Sequence, residues 1–316
     1  MRDNTDIAVK PVEAVIARVK KVYRSWGRDT TVAQMREDWD ALFGVDTVPA
    51  LVAPVVAGGV PGQWVAAPGA NPGKVLLYFH GGGFQVGSSR SHLELMACIS
   101  AAAGCRVLGL DYRLAPEHLF PAALGDSCAA FDWLLSQGLE ASDIALGGDS
   151  AGGGLALSTV LARRNTGQPL PAAVVLMSAW TDLTAMGQSY ETRRAVDPIH
   201  QRPMILAMAR NYLGAHGDPC DPLASPLLAD LHDLPPLLIQ VGDRETVLSD
   251  STLFADKARA TGVQVELEVW KDMVHVFQQF PRELEEAREA LQSIGRFLRL
   301  HLQTDAPVFP PITKGP

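Results

Sequence analysis

The segment Gly147-Gly148-Asp149-Ser150-Ala151-Gly152-Gly153-Gly154 places one serine among residues that are almost all small. A β-rich run ends just before it at Leu146, and a helical pattern starts just after it at Leu155. G-x-S-x-G in that setting predicts a tight strand-to-helix turn that pushes the serine hydroxyl out at the C-terminal edge of a sheet. The helix N-terminus behind the serine favours developing negative charge. The chemistry this suits is nucleophilic attack by Ser150 on an electrophilic carbon. A second glycine run, His80-Gly81-Gly82-Gly83-Phe84, follows the apolar run Val75–Phe79. Three consecutive glycines let backbone N–H groups approach a ligand closely. An H-G-G-G turn upstream of a serine elbow is the expected source of oxyanion donors, here the N–H groups of Gly82 and Gly83, with Ala151 as the third. A phosphate-binding loop is the competing reading, but neither a Walker lysine nor a G-x-G-x-x-G with a suitably spaced acid is present.

A nucleophilic serine needs a base, and the base needs an orienting acid. On such a sheet the chain order is serine, acid, histidine. His80, His92 and His118 precede Ser150, His200 and His216 fall in a segment that breaks the strand–helix rhythm, His232 lies in a loop before a strand and so at the wrong end, and His301 lies on the last helical pattern. His275 follows the β-rich run Gln264–Trp270 and so stands in a loop at the sheet's C-terminal edge, where a base is required. The acid stays open among Asp243, Glu245 and Asp250, which all follow the run Leu237–Val241.

The elements that must carry these groups are legible in the periodicity. Lys74–Phe79, Arg106–Asp111, Asp143–Leu146, Ala172–Ser178, Leu237–Val241 and Gln264–Trp270 read as strands. Helical patterns lie near 89–103, 121–137, 150–164, 249–261 and 282–302. This alternation predicts an α/β fold with a mostly parallel central sheet and helices on both faces. Ahead of it, Val12, Val15, Ile16, Val19, Val22, Tyr23 and Trp26 recur at helical spacing, and a second helical pattern follows Thr31. Residues 184–235 interrupt the alternation and read as an insertion above the sheet; the proline-rich stretch 304–316 reads as a flexible tail. Asp197 and His200 in the insertion are expected to be exposed, and Asp111, Arg113 and Glu117 to form a buried polar network.

Taken together, His80–Phe84, Asp111-Tyr112-Arg113-Leu114-Ala115-Pro116-Glu117-His118, Phe120-Pro121-Ala122-Ala123, Gly148–Gly152 and the His275 loop resemble the bacterial hormone-sensitive-lipase-like carboxylesterases, an α/β-hydrolase family. The resemblance spans about residues 50–302, with the motifs in the family's order. It implies an acid about thirty residues before the histidine, in a segment shaped D-x-L-x-D-E. Glu245 holds that position in Glu245-Thr246-Val247-Leu248-Ser249-Asp250, a glutamate where aspartate is commoner. The implied catalytic set is Ser150, His275 and Glu245. The resemblance also implies a helical cap from residues 1–48 and 184–235 over a catalytic domain of 49–183 and 236–303. Trp26, Met204, Ile205, Met208 and Tyr212, with Phe84 from the body, would line a substrate pocket. The implied activity is hydrolysis of short- to medium-chain carboxylic esters through an acyl-enzyme, without metal or cofactor. The same site chemistry suits lactones, amides or formamides, and the same fold can serve as a ligand-binding receptor. A homodimer is a further implication.

Composition bounds these readings. The chain has 316 residues, 47% of them hydrophobic and 20% charged, which supports a sizeable core. Its net charge of -8 argues against nucleic acid as partner. Four cysteines without a C-x-x-C pair argue against a disulfide scaffold or a cysteine-rich zinc site. Met1-Arg2-Asp3-Asn4-Thr5-Asp6 lacks the apolar stretch of an export signal, and no run is long enough to span a bilayer, so a cytoplasmic protein without stable membrane insertion is expected. The partner expected instead is a small-molecule ester.

Overall fold

The computed structural model describes residues 10–27, 29–45 and 47–305. The amphipathic stripe of the first segment forms α1 (Pro11–Ser25), which buries Val12, Val15, Ile16 and Val19. Pro11 occupies the first helical position, where its missing N–H costs no bond. In α2 (Val32–Phe43) the Thr31 side chain accepts the N–H of Gln34 and caps the helix.

An eight-stranded sheet follows: β1 (Leu51–Ala57), β2 (Val60–Ala66), β3 (Asn71–Phe79), β4 (Cys105–Leu110), β5 (Ile144–Asp149), β6 (Val174–Met177), β7 (Leu237–Gly242) and β8 (Val265–Trp270). Its order is β1-β2-β4-β3-β5-β6-β7-β8. β1 and β2 pair antiparallel, β2 pairs antiparallel with β4, and every other neighbour pair is parallel. The six strands expected from the sequence are all present, and the β1–β2 hairpin is an addition. Its signal is weak because Pro54 and Pro61 interrupt the runs and Leu51 and Val56 point to solvent at the sheet edge.

Helices α3 (Leu93–Ala103) and α9 (Glu285–Leu302) pack together on one face of the sheet. On the other lie α4 (Ala122–Ser136), α5 (Ala151–Asn165) and α8 (Leu248–Ala260). The period-two alternation of the strands divides the core between the faces. In β3, Leu76 and Tyr78 join the α3–α9 side, whereas Val75, Leu77 and Phe79 join the other. Between β6 and β7 the chain forms α6 (Ser189–Thr192) and α7 (Arg202–Leu213). Most of the proline-rich tail lies outside the described residues. No helix among those described is long and apolar enough to cross a membrane.

The polar network expected of Asp111, Arg113 and Glu117 does not form, because the three side chains point to different neighbours. Arg113 pairs with Asp126 of α4 at 2.7 Å, and Asp111 accepts the Ser89 N–H and hydroxyl. Glu117, half-exposed, pairs with Arg36 of α2 at 2.8 Å and so fastens an N-terminal helix to the body.

Candidate active site

β5 ends at Asp149 and α5 begins at Ala151, so Ser150 alone makes the turn, at φ 51° and ψ -120°. A left-handed φ on a non-glycine residue is strained, and such strain concentrates at functional sites. Phe84, Ser178 and Val276 share it, at φ 62°, 50° and 50°. The elbow closes tightly because α5 presses onto β3: a Cβ on Gly152 would overlap the Phe79 carbonyl oxygen. The Ser150 N–H donates to Met177 O, and Ser150 O accepts the Trp180 N–H.

The glycine run after β3 adopts φ 114° at Gly82 and 62° at Gly83, and a Cβ on Gly82 would overlap the Val86 carbonyl. The N–H groups of Gly82, Gly83 and Ala151 donate to no other group among the described residues. One carboxylate ties this loop to the elbow: Asp149 accepts the Gly81 N–H at 2.9 Å and the Tyr78 hydroxyl at 2.5 Å. His80 is buried against Tyr112, and its Nδ1 lies 2.8 Å from Gly81 O. Burial first, then the neighbouring His92, lower its pKa to about 4, so it is neutral at working pH.

His275 lies in the loop after β8. Its Nδ1 is 2.8 Å from Oε2 of Glu245, which is fully buried. Oε1 of Glu245 accepts the Ser178 hydroxyl at 2.8 Å and the Gly242 N–H at 2.5 Å. Burial works against a charged imidazole, but the hydrogen bond and charge of Glu245 outweigh it and raise the His275 pKa above its ordinary 6.5. Asp243 sits elsewhere, accepting the Asp272 N–H. Asp250 is buried on α8, where it accepts the N–H groups of Thr181 and Asp182, and burial lifts its carboxyl to about 8.

Ser150 and His275 line one cavity of about 220 Å³, together with Gly82 and Gly83. No hydrogen bond joins Ser150 Oγ to the imidazole among the described residues, which is common before a substrate tightens such a pair. Of the six residues expected on the pocket wall, Trp26, Met204, Ile205 and Met208 lie there. Phe84 and Tyr212 do not. They stack on each other, centroids 3.7 Å apart at 6°, and bury that pair inside the body. The wall gains Tyr23, Trp39 and Phe43 from the N-terminal helices instead. α1 also shares one apolar cluster with Met273, Val274, Phe277 and Phe280 around the loop that carries His275.

Ser178, Asp197 and His200 were also not anticipated at the site. Ser178, at the end of β6, donates to Glu245 and accepts the Val276 N–H, so it joins the acid to the histidine loop. Its position just past a strand at the sheet's C-terminal edge was its only signal. Asp197 and His200, expected at the surface, are each 6% exposed. The His200 ring meets the His275 ring edge to face, centroids 4.3 Å apart. Nothing in local sequence foretells that fold-back.

The chain matches the family described as "alpha/beta hydrolase fold" over residues 76–279. It is 43% identical to an acetyl-hydrolase of Streptomyces hygroscopicus over 245 residues, 78% of this chain and 81% of that protein. It is 35% identical to an esterase of Acinetobacter venetianus over 246 residues, with the same two coverages. A crystal structure of an esterase from the bacterial hormone-sensitive lipase family superposes with a TM-score of 0.88 at 44% identity, covering 92% of this chain and 98% of that one. An esterase/lipase from an uncultured bacterium gives 0.85 at 40%, covering 92% and 99%. The protein is therefore a carboxylic ester hydrolase, and the chain belongs to the bacterial hormone-sensitive-lipase-like carboxylesterases of the α/β-hydrolase fold.

Proposed function

We propose that the protein hydrolyses short- to medium-chain carboxylic esters through a Ser150 acyl-enzyme, with His275 as base and Glu245 as its orienting acid. The observation that carries this reading is the buried Glu245–His275 contact of 2.8 Å on the wall of the cavity that also holds Ser150. Glu245 fixes the imidazole tautomer by accepting from Nδ1, leaving Nε2 free to take the Ser150 proton. Ser150 Oγ attacks the ester carbonyl. The N–H groups of Gly82, Gly83 and Ala151 stabilise the oxyanion, each worth about a hundredfold or more in rate. His275 then protonates the departing alkoxide. Water, deprotonated by His275, attacks the acyl carbon and regenerates the serine.

Helices α1, α2 and α7 act as the cap in this reading. Tyr23, Trp26, Trp39, Met204 and Met208 roof an apolar cavity whose volume of about 220 Å³ is smaller than the ~300–1,000 Å³ of drug-sized sites. A roofed cavity of that size favours short and medium acyl chains. The test is a p-nitrophenyl ester series from acetyl to palmitoyl, with mass spectrometry of the quenched enzyme. The expected result is an optimum at or below the medium chains and an acyl adduct on Ser150. Equal turnover of palmitoyl and butyryl esters, or an adduct on another residue, overturns the reading.

A further inference from the structure

In the proposed triad the base is held by its acid at one atom, Nδ1 of His275. A single hydrogen bond leaves an imidazole free to swing about it, and a second contact removes that freedom. The ring of His200 supplies one. It meets the His275 ring edge to face, centroids 4.3 Å apart at 68°, closer than the ~4.5–7 Å of larger aromatic pairs. His200 is buried and lines the cavity beside His275.

Asp197 sets where that ring stands. Its Oδ1 accepts the N–H groups of Ile199 and His200, both at 2.9 Å, and its Oδ2 accepts the Thr246 N–H at 2.7 Å. Thr246 follows Glu245, so one buried carboxylate fastens the loop of His200 to the loop of the acid. Further bonds tie the same two segments. The Ser189 hydroxyl donates to Thr246 O and accepts the Ser249 N–H, and Arg244 Nε donates to Val196 O. The acid and the second ring are thereby joined to each other, and the imidazole lies against both. Tyr23 of α1 in turn packs edge to face on His200 at 6.1 Å. Burial first, then His275, lower the His200 pKa to about 3. The ring is neutral at working pH and carries no proton through turnover, so its contribution is one of shape.

We propose that His200 is a positioning residue: its ring, fastened by Asp197 to the loop of Glu245, keeps the His275 imidazole aligned between its acid and Ser150. This rests on the reading of Ser150, His275 and Glu245 as the catalytic set, and extends it to a residue of the segment between β6 and β7.

The test measures kcat and KM on p-nitrophenyl butanoate for His200→Ala and His200→Phe, each in the wild-type and Glu245→Gln backgrounds, with near-ultraviolet circular dichroism to verify folding. His200→Ala is expected to lose about ten- to a hundredfold in kcat, the scale of a misaligned catalytic group, with little change in KM. His200→Phe restores a flat ring and should recover most of that loss. In Glu245→Gln the imidazole has already lost its charged partner. The added cost of His200→Ala there should shrink to about threefold or less, because residues that act as a unit are not additive. The downfield proton resonance of His275 Nδ1–H gives a readout independent of rate: it should persist in His200→Phe and broaden by solvent exchange in His200→Ala. A folded His200→Ala enzyme with wild-type kcat overturns the role, as does a change in KM alone, a full multiplicative loss in Glu245→Gln, or a phenylalanine variant no better than alanine. Should His200→Ala not fold, His200→Val, which keeps an apolar side chain but no ring, carries the same comparison. Ser150→Ala, measured alongside, separates the two readings: turnover that survives there refutes the catalytic set itself, whereas its loss beside an unaffected His200→Ala refutes the positioning role alone.

Discussion

Replacing Glu245 by glutamine keeps the volume and removes one charge, and the structure dictates how the amide must sit. Oε1 faces two donors, the Gly242 N–H and the Ser178 hydroxyl, whereas Oε2 faces His275 Nδ1. The amide oxygen therefore stays on Gly242 and the NH2 turns to His275. That orientation needs an acceptor at Nδ1, which moves the imidazole proton to Nε2, where it blocks removal of the Ser150 proton. The opposite flip restores the tautomer but sets the NH2 against the Gly242 N–H, leaving a buried donor unsatisfied at about 1–3 kcal/mol. In either case the imidazolium formed during attack loses its charged partner, a further contribution of about 1.5–3 kcal/mol. The combined loss of about 2.5–6 kcal/mol corresponds to roughly 10²- to 10⁴-fold in rate. Asp243→Asn is the control, since an asparagine oxygen can still accept the Asp272 N–H. The assay is kcat/KM on p-nitrophenyl butanoate, with near-ultraviolet circular dichroism to verify folding. Glu245→Gln is expected at 1% of wild type or below, and Asp243→Asn within about threefold. A folded Glu245→Gln enzyme above a tenth of wild type, or an equal loss in Asp243→Asn, would refute the reasoning.

As the proposed base, His275 must be neutral to act, and Glu245 raises its pKa above 6.5. The kcat/KM profile should therefore rise with pH through one inflection above 6.5 and lose about tenfold per unit below it. His200, with a pKa lowered to about 3, adds no second inflection between pH 5 and 8; a flat profile there, or a midpoint below 6.5, contradicts this. Gly82→Ala forces a side chain into φ 114° and onto the Val86 carbonyl, so kcat should fall by about a hundredfold or more with a circular dichroism spectrum like wild type; activity within threefold would remove Gly82 from the oxyanion site. Phe131, fully buried with the Arg163 guanidinium 4.1 Å from its ring, should cost about 3–5 kcal/mol when cut to alanine. A urea midpoint unchanged from wild type would place it outside the core.

What the sequence made legible is local. Continuous apolar runs such as Val75–Phe79 become strands because both faces of the central sheet are covered, and the glycines around Ser150 mark a turn in which a Cβ would strike β3. Chain order together with position past a strand narrowed the histidines to His275, and the family's spacing of the acid singled out Glu245 from Asp243 and Asp250; the structure places Glu245 against the imidazole. What escaped depends on tertiary fold-back. The β1–β2 hairpin is exposed and broken by proline, so its alternation carries little signal. Phe84 has the chemistry of a pocket wall, but its left-handed backbone turns the ring inward onto Tyr212. Asp197 and His200 look like any polar pair in a loop, and only the packing of 184–200 onto the acid loop buries them.

The measurement closest to the central claim is hydrolysis of p-nitrophenyl butanoate by wild type beside Ser150→Ala. In the proposed mechanism Ser150 supplies the bond-forming oxygen, so its removal should lower kcat by at least about 10⁴-fold, leaving only the residual rate that oxyanion donors and binding can provide. Equal rates in the two proteins would contradict the account, because the carbonyl would then be attacked by something other than the serine at the elbow.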